Sequence, residues 1–163
     1  MFTKHKISLQ INAQLENVTE LQPADQEDFR WCMKLQCMNC NEETPDFVFC
    51  CLSESSKLFG GRGSASLVIK CKLCERENSI DIMKDSLSSC MSEDSGKFKT
   101  IVTFGCRGVQ PIEFKPNDGW KVKAEGEKSN ATFELDLTEN EWSDYDEKAS
   151  AFVSVKEFKY KFE

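Results

Sequence analysis

ISLQINAQL, residues 7–15, sets Ile7, Leu9, Ile11, Ala13 and Leu15 on every second position with a polar residue between each pair. Side chains of a strand alternate between faces, so this spacing makes one apolar face and one wet face; a helical stripe would return every three to four residues. The same period runs through Phe29, Trp31, Met33, Leu35 and Cys37. Further stretches of this kind occupy residues 47–52, 64–70, 79–83, 98–106, 120–124, 131–137 and 152–162. About nine strands without a long 3.6-period segment specify an all-β fold, an antiparallel two-sheet β-sandwich with little helix. A helical turn or two is expected at 144–150, where acidic residues lead and Lys148 follows, the order a helix dipole favours.

Turn-forming residues cluster at 22–28, 40–46, 53–63, 85–96, 110–119 and 125–130. Within 85–97, DSLSSCMSEDSGK, the composition is that of a mobile linker, and Cys90 is expected at the surface. The 163 residues, 39% hydrophobic and carrying twelve Phe and three Trp, suffice for one sizeable core, so residues 1–163 are expected to form a single domain.

Lys and Arg number 21 against 28 Asp and Glu, a net charge of −7. Such a chain repels phosphate backbones and shows no basic patch, which excludes nonspecific nucleic-acid binding. Apolar runs such as FVFCCL at 47–52 are far shorter than the roughly 20 residues of a membrane-spanning helix. The first residues alternate polar and apolar with no apolar h-region, so the expected location is intracellular, the cytoplasm and also the nucleus. Nine cysteines in a reducing compartment point to metal binding rather than to a disulfide framework.

Four of the nine have the right spacing. Cys37-Met-Asn-Cys40 and Cys71-Lys-Leu-Cys74 are two CxxC pairs with 30 residues between them, and each pair ends a strand pattern. Each can turn back as a knuckle and offer two sulfurs to one ion, which makes Cys37, Cys40, Cys71 and Cys74 a closed tetrahedral set for Zn²⁺. Bound as thiolates, they would take the net charge from −7 to about −9. Asn41 follows the first pair, and Asn tolerates the left-handed conformation such turns need. A hairpin of 47–52 with 64–70 would carry the chain from one pair to the other. Among the remaining cysteines, Cys32 and Cys106 are expected to be buried, and Cys50 and Cys51 would face opposite ways if they shared a strand.

GGRG, residues 60–63, precedes a strand pattern rather than a helix and lacks the P-loop lysine, so it reads as a turn or bulge with positive φ. Arginine is sparse, four against seventeen lysines. Arg30, Arg62, Arg76 and Arg107 are therefore candidates for planar, bidentate carboxylate binding, with Asp144, Asp146 and Glu147 beside Trp142 and Tyr145 as the acidic partners. Arg62, Arg107, Trp142, Asp144, Tyr145 and Asp146 make up the expected interaction surface. Catalytic groups are few: His5 is the only histidine, nothing pairs it with a nucleophile, and a closed four-cysteine site leaves no position for a reacting water.

In the blocks CMNC at 37–40, GGRGSAS with KCKLC within 60–74, RENSI at 76–80, FKTIV at 98–102, GCRG at 105–108 and DYDEKA at 144–149, the chain resembles the eukaryotic CXXC motif-containing zinc-binding protein family. The resemblance implies an all-β two-sheet domain, zinc ligands at Cys37, Cys40, Cys71 and Cys74, and no established enzyme activity. Cys50, Cys51 and Cys90 lie outside the shared blocks. The leading expectation is a monomeric zinc-stabilised module that binds another protein. The alternative is a metal-handling protein that exchanges zinc or Cu(I) with a partner, since the surplus thiols and Met38 are soft donors. An enzyme with an anion pocket beside Arg62 and Arg107 is the third reading.

Overall fold

A computed structural model describes residues 4–58 and 63–163. Its strands, in chain order, are β1 His5–Glu16, β2 Val18–Pro23, β3 Trp31–Cys37, β4 Val48–Cys50, β5 Ser56–Lys57, β6 Ser64–Ala65, β7 Leu67–Lys70 and β8 Glu77–Ile82. They continue as β9 Lys99–Arg107, β10 Val109–Lys115, β11 Trp120–Ala124, β12 Thr132–Leu135, β13 Trp142–Asp146 and β14 Ala151–Phe162. Helix among the described residues is confined to two 3-10 turns, Lys84–Ser86 and Ser92–Asp94. The all-β expectation therefore holds.

The ladders differ from a plain pair of sheets. Six strands pair in the order β13-β14-β1-β9-β8-β7, three as β10-β3-β4, three as β12-β11-β2, and β5 with β6. The chain changes sheet at left-handed corners. Asn17, at φ +57°, separates β1 from β2, and Gly108, at φ +75°, separates β9 from β10. Register shifts between Asn12 and Gln14 in β1 and between Pro111 and Glu113 in β10 interrupt the ladders further, since a bulge bends its strand and increases local twist.

One aromatic cluster joins the three larger sheets. Trp31 on β3 meets Phe104 on β9 at 6.1 Å and Trp120 on β11 at 6.3 Å, both edge to face. Phe29 closes the cluster against Trp31 at 4.7 Å and Trp120 at 5.1 Å. Such edge-on pairs add roughly 0.5–1.5 kcal/mol each beyond their buried area. Leu9, Ile11 and Ala13 of the opening stretch are fully buried in the same core, on the face their period-two spacing selects.

Several local expectations are corrected. Residues 144–146 are strand rather than helix, because β13 completes its ladder with β14 from Trp142↔Val155 to Asp146↔Ala151 before the chain turns. The 110–119 loop is in large part β10, and β2 occupies a stretch with no clear alternation. No hairpin joins β4 to β7: β4 pairs with β3, β7 pairs with β8, and the short β5–β6 ladder fills the interval. Cys90 is fully buried rather than exposed, because its N–H and C=O bond the carbonyl and N–H of Leu21, both at 2.9 Å, and pin the supposed linker to β2. Cys106 is buried as expected, whereas Cys32 is only half-buried. Cys50 and Cys51 are both buried, with Cys51 already beyond the end of β4.

Candidate metal centre

β3 ends on Cys37, and the chain folds back at once. The Asn41 N–H donates to the Cys37 carbonyl at 2.8 Å and the Cys37 N–H to the Glu42 carbonyl at 2.8 Å, with Asn41 itself at φ +66°. The turn between β7 and β8 repeats this arrangement: Glu75 N–H to Cys71 C=O at 2.9 Å, Cys71 N–H to Arg76 C=O at 2.9 Å, and Glu75 at φ +63°. In each knuckle the first cysteine is buried and the second half-buried.

The knuckles face each other. Cys37 Sγ lies 3.7 Å from Cys74 Sγ, Cys40 Sγ lies 3.5 Å from Cys71 Sγ, and all four sulfurs are within 4.8 Å of one another. A tetrahedron with Zn–S bonds of about 2.3 Å has edges of about 3.8 Å, so the sulfur set fits Zn²⁺. No other group of three or more His, Cys, Asp or Glu ligand atoms among the described residues is this compact. Cys37 belongs to the β10-β3-β4 sheet and Cys71 follows the edge strand of the six-stranded sheet. An ion held by all four sulfurs would thus tie two sheets together.

The local electrostatics favour anionic sulfur at two of the four positions. Burial pushes the Cys37 thiol up, but the hydrogen bonds around it, that from the Cys40 backbone N–H first, prevail and bring it down to about 6. Cys74 is also lowered, by the Asn39 side chain first and then by the Arg76 backbone N–H. At Cys40 the Glu42 backbone N–H acts downward, and burial together with the sulfurs of Cys71, Cys74 and Cys37 overcomes it, raising the thiol to about 12. Four adjacent sulfurs cannot all ionise unaided, and a divalent cation is what allows them to give up their protons together.

A buried support holds the pair of knuckles in register. The Gly108 carbonyl accepts the Met38 N–H of the first knuckle at 3.0 Å; with the Asn78 side-chain amide on β8 turned so that its oxygen and nitrogen exchange places, the orientation that satisfies both ends, it also accepts that amide at 3.0 Å, and the amide donates to the Glu77 carbonyl at 3.2 Å. Asn78 is only 3% exposed. Cysteine spacing gave no sign of it, because Asn78 serves the centre from a neighbouring strand. Arg76 donates to Asn39 Oδ1 at 3.3 Å across the knuckles, a structural use of one of the four arginines.

The sequence-predicted surface is not assembled in one place. Arg62 and the Gly60 and Gly61 that precede it lie outside the described residues; Gly63, at φ +99°, has the positive φ expected of that turn. Arg107 is exposed at the end of β9 and lines a cavity of about 220 Å³ with Lys4, Ser79 and Asp81, where Lys4 already pairs with Asp81 at 3.3 Å. β9 and β13 have β1 and β14 between them, so Arg107 cannot serve Asp144 or Asp146. Trp142 packs on Phe133 at 5.6 Å, Tyr145 on Phe152 at 5.0 Å. Tyr145 and Phe152 are exposed, Asp144 is exposed, and Asp146 is buried.

Residues 8–163 match the family model described as CXXC motif containing zinc binding protein, eukaryotic. The chain belongs to this family. The human CXXC motif containing zinc binding protein is 48% identical over 158 residues, 96% of this chain and 97% of that one. A UPF0587 protein of Nematostella vectensis is 57% identical over 150 residues, 92% of each chain. Among solved structures, the crystal structure titled C1orf123 superposes with a TM-score of 0.91 at 45% identity, covering 98% of this chain and 99% of that one. A hypothetical protein from Plasmodium falciparum superposes with a TM-score of 0.86 at 20% identity over 98% and 99% of the two chains, a likeness of fold alone. Membership in the CXXC family and the four-sulfur geometry agree on the same metal. No helix among the described residues is long and apolar enough to cross a membrane.

Proposed function

We propose that this chain is an intracellular, non-enzymatic protein-interaction module, monomeric by itself, whose zinc, bound by four cysteines, holds the fold in its binding shape. One observation carries the reading: the four sulfurs form a closed set between two sheets, leaving a bound ion no open position for substrate. Structural zinc in small peptides contributes roughly 10–16 kcal/mol, as much as the net stability of a whole domain. Native mass spectrometry during a chelator titration tests the structural part. Loss of one zinc only as the folded charge states vanish supports it; loss of metal from a chain that stays folded overturns it. The interaction part is tested by affinity capture, in which Arg62→Ala or Arg107→Ala should each weaken retention of any partner using those surfaces.

A second reading, transfer of zinc or Cu(I) to a partner, has one observation in its favour. Met38, which lies between the two cysteines of the first knuckle, is 41% exposed and gives that turn a soft thioether open to a partner. Exchange of bound zinc with an isotopically labelled pool within minutes would support transfer, and inertness over days would remove it.

A further inference from the structure

One face of the β8–β9 ladder carries a polar cavity that the metal centre does not use. Ser79 stands opposite Arg107 in the register, and Asp81 stands opposite Gly105. Directly paired residues put their side chains on one face, with Cβ atoms about 4.5–5.5 Å apart. A Cβ on Gly105 would lie 2.2 Å from Lys4 Cε, so the bare glycine is what lets the Lys4 stem cross the strand. With Ser64 and Ala65 of β6, these residues line a cavity of about 220 Å³.

The donors of this cavity are not all taken up within the chain. Asp81 is engaged at both oxygens: Oδ2 accepts from Lys4 Nζ at 3.3 Å and Oδ1 from the Ser66 N–H at 3.1 Å. Lys4 keeps two of its three ammonium donors. Arg107 is exposed and makes no ion pair or side-chain hydrogen bond among the described residues. The Ser79 hydroxyl has no partner among them either, although the residue is only 8% exposed. The unpartnered side-chain atoms shut off from solvent are Trp31 Nε1 and Asp146 Oδ2. The Ser79 hydroxyl is not one of these, so it opens on the cavity it lines.

The walls discriminate between ligands. Lys4 and Arg107 against Asp81 leave a single net positive charge, in a chain whose net charge is −7. One carboxylate cancels that charge, whereas a phosphate monoester, at about −1.5 to −2, would turn the cavity negative. The volume falls below the roughly 300–1,000 Å³ of pockets for drug-sized ligands and cofactors, so one side chain or one chain end fills it. A guanidinium fork matches a carboxylate with two parallel hydrogen bonds, and the Ser79 hydroxyl adds a third donor from below the rim.

We propose that the cavity at Arg107 receives a carboxylate of a partner protein, on an acidic side chain or at a chain end, with Arg107 as the fork and Ser79 as the buried donor. This rests on the reading of the chain as an interaction module and names the chemistry of the partner at that point. Arg107 so takes from a partner the acidic group that Asp144 and Asp146, beyond β1 and β14, cannot supply.

The test uses the zinc-loaded full chain, ¹⁵N-labelled, titrated with acetyl-Ala-Ala-Glu-Ala-Ala-amide, with the same peptide carrying glutamine, with acetyl-tetra-alanine ending in a free carboxylate, and with inorganic phosphate. At least one of the two carboxylate peptides should give saturable amide shifts at Ser64, Ser79 and Arg107, and the glutamine peptide none. The tighter of the two identifies the source as a side chain or a chain end. Arg107→Lys, which keeps the charge and loses the fork, should weaken binding about tenfold, and Ser79→Ala about threefold. Equal binding of the glutamine peptide, absence of saturable shifts with both carboxylates, unchanged affinity in Arg107→Lys, or tighter binding of phosphate than of either peptide would each overturn the site. Should Ser79→Ala not fold, Arg107→Lys at its exposed position carries the comparison. Failure of the module reading is distinguishable: a carboxylate peptide would still bind at Arg107 while affinity capture retained no partner. A captured partner retained equally by Arg107→Lys would remove this site and leave the module reading standing.

Discussion

Asn41 and Glu75 hold equivalent posts: each follows the second cysteine of its knuckle at positive φ, +66° and +63°, and donates its N–H to the carbonyl of the first cysteine, at 2.8 and 2.9 Å. The two halves of the metal centre are thus built by one local device. Asn is at ease in that conformation, and Glu is not.

Glu75→Gly should therefore stabilise the zinc-loaded protein by about 0.5–1 kcal/mol, the relief of left-handed strain less the added freedom of the unfolded chain. A rise in the thermal midpoint of about 2 °C would register it. Glu75→Val, branched at Cβ, should move the midpoint the other way. Equal melts for all three would mean the φ at this post carries no strain.

The nine cysteines should separate into two groups by metal content. Cys71→Ser removes one corner of the sulfur tetrahedron and should abolish stoichiometric zinc, read by mass spectrometry of the purified chain. Cys106→Ala and Cys90→Ala, both at fully buried sites away from the cluster, should keep the zinc and cost about 1–2 kcal/mol each through lost packing. Loss of zinc in either alanine variant would show that the centre depends on more of the core than its knuckles.

Two buried thiols give the protein an alkaline limit. Burial pushes Cys90 up to about 11 and Cys106 up to about 12, from 9.0 in the open chain. The folded state holds these protons more tightly than the unfolded one, so the stabilisation is full below pH 9.0 and is lost as pH rises through about 11 and about 12. Urea midpoints measured between pH 8 and pH 11 should fall across that window, by less in Cys90→Ala than in the parent. A flat profile would count against the burial assigned to these thiols.

Parts of this structure follow from local pattern and parts do not. β1 was legible because Leu9, Ile11 and Ala13 all face the core on one period, and the metal centre was legible because thiol chemistry and CxxC spacing are local. β2 was not: Glu20 at φ +56° breaks its alternation, so its apolar residues fall at Val18, Leu21 and Pro23. Pro111 and the adjoining register shift disguised β10 in the same way. Cys90 read as a surface thiol because its neighbours are polar, and only the long-range bridge to Leu21 buries it. Asp146 read as one of several surface acids, though the β13–β14 ladder turns it away from its exposed neighbour Tyr145.

The two central tryptophans differ in one bond, and their phenylalanine variants should differ accordingly. Trp120 donates its indole Nε1–H to the Pro116 carbonyl at 2.9 Å in a buried setting, whereas the buried Trp31 Nε1 has no hydrogen-bond partner among the described residues. Both substitutions shrink a ring at a fully buried position and lose packing. Trp120→Phe also strands a carbonyl, which adds about 1–3 kcal/mol, while Trp31→Phe removes a polar atom the core leaves unpaired. Urea unfolding of the zinc-loaded variants should therefore rank Trp120→Phe as the more destabilised by at least about 1 kcal/mol. The reverse order would mean that packing at the junction of the three sheets, where Trp31 meets Phe104 and Trp120, outweighs the hydrogen bond.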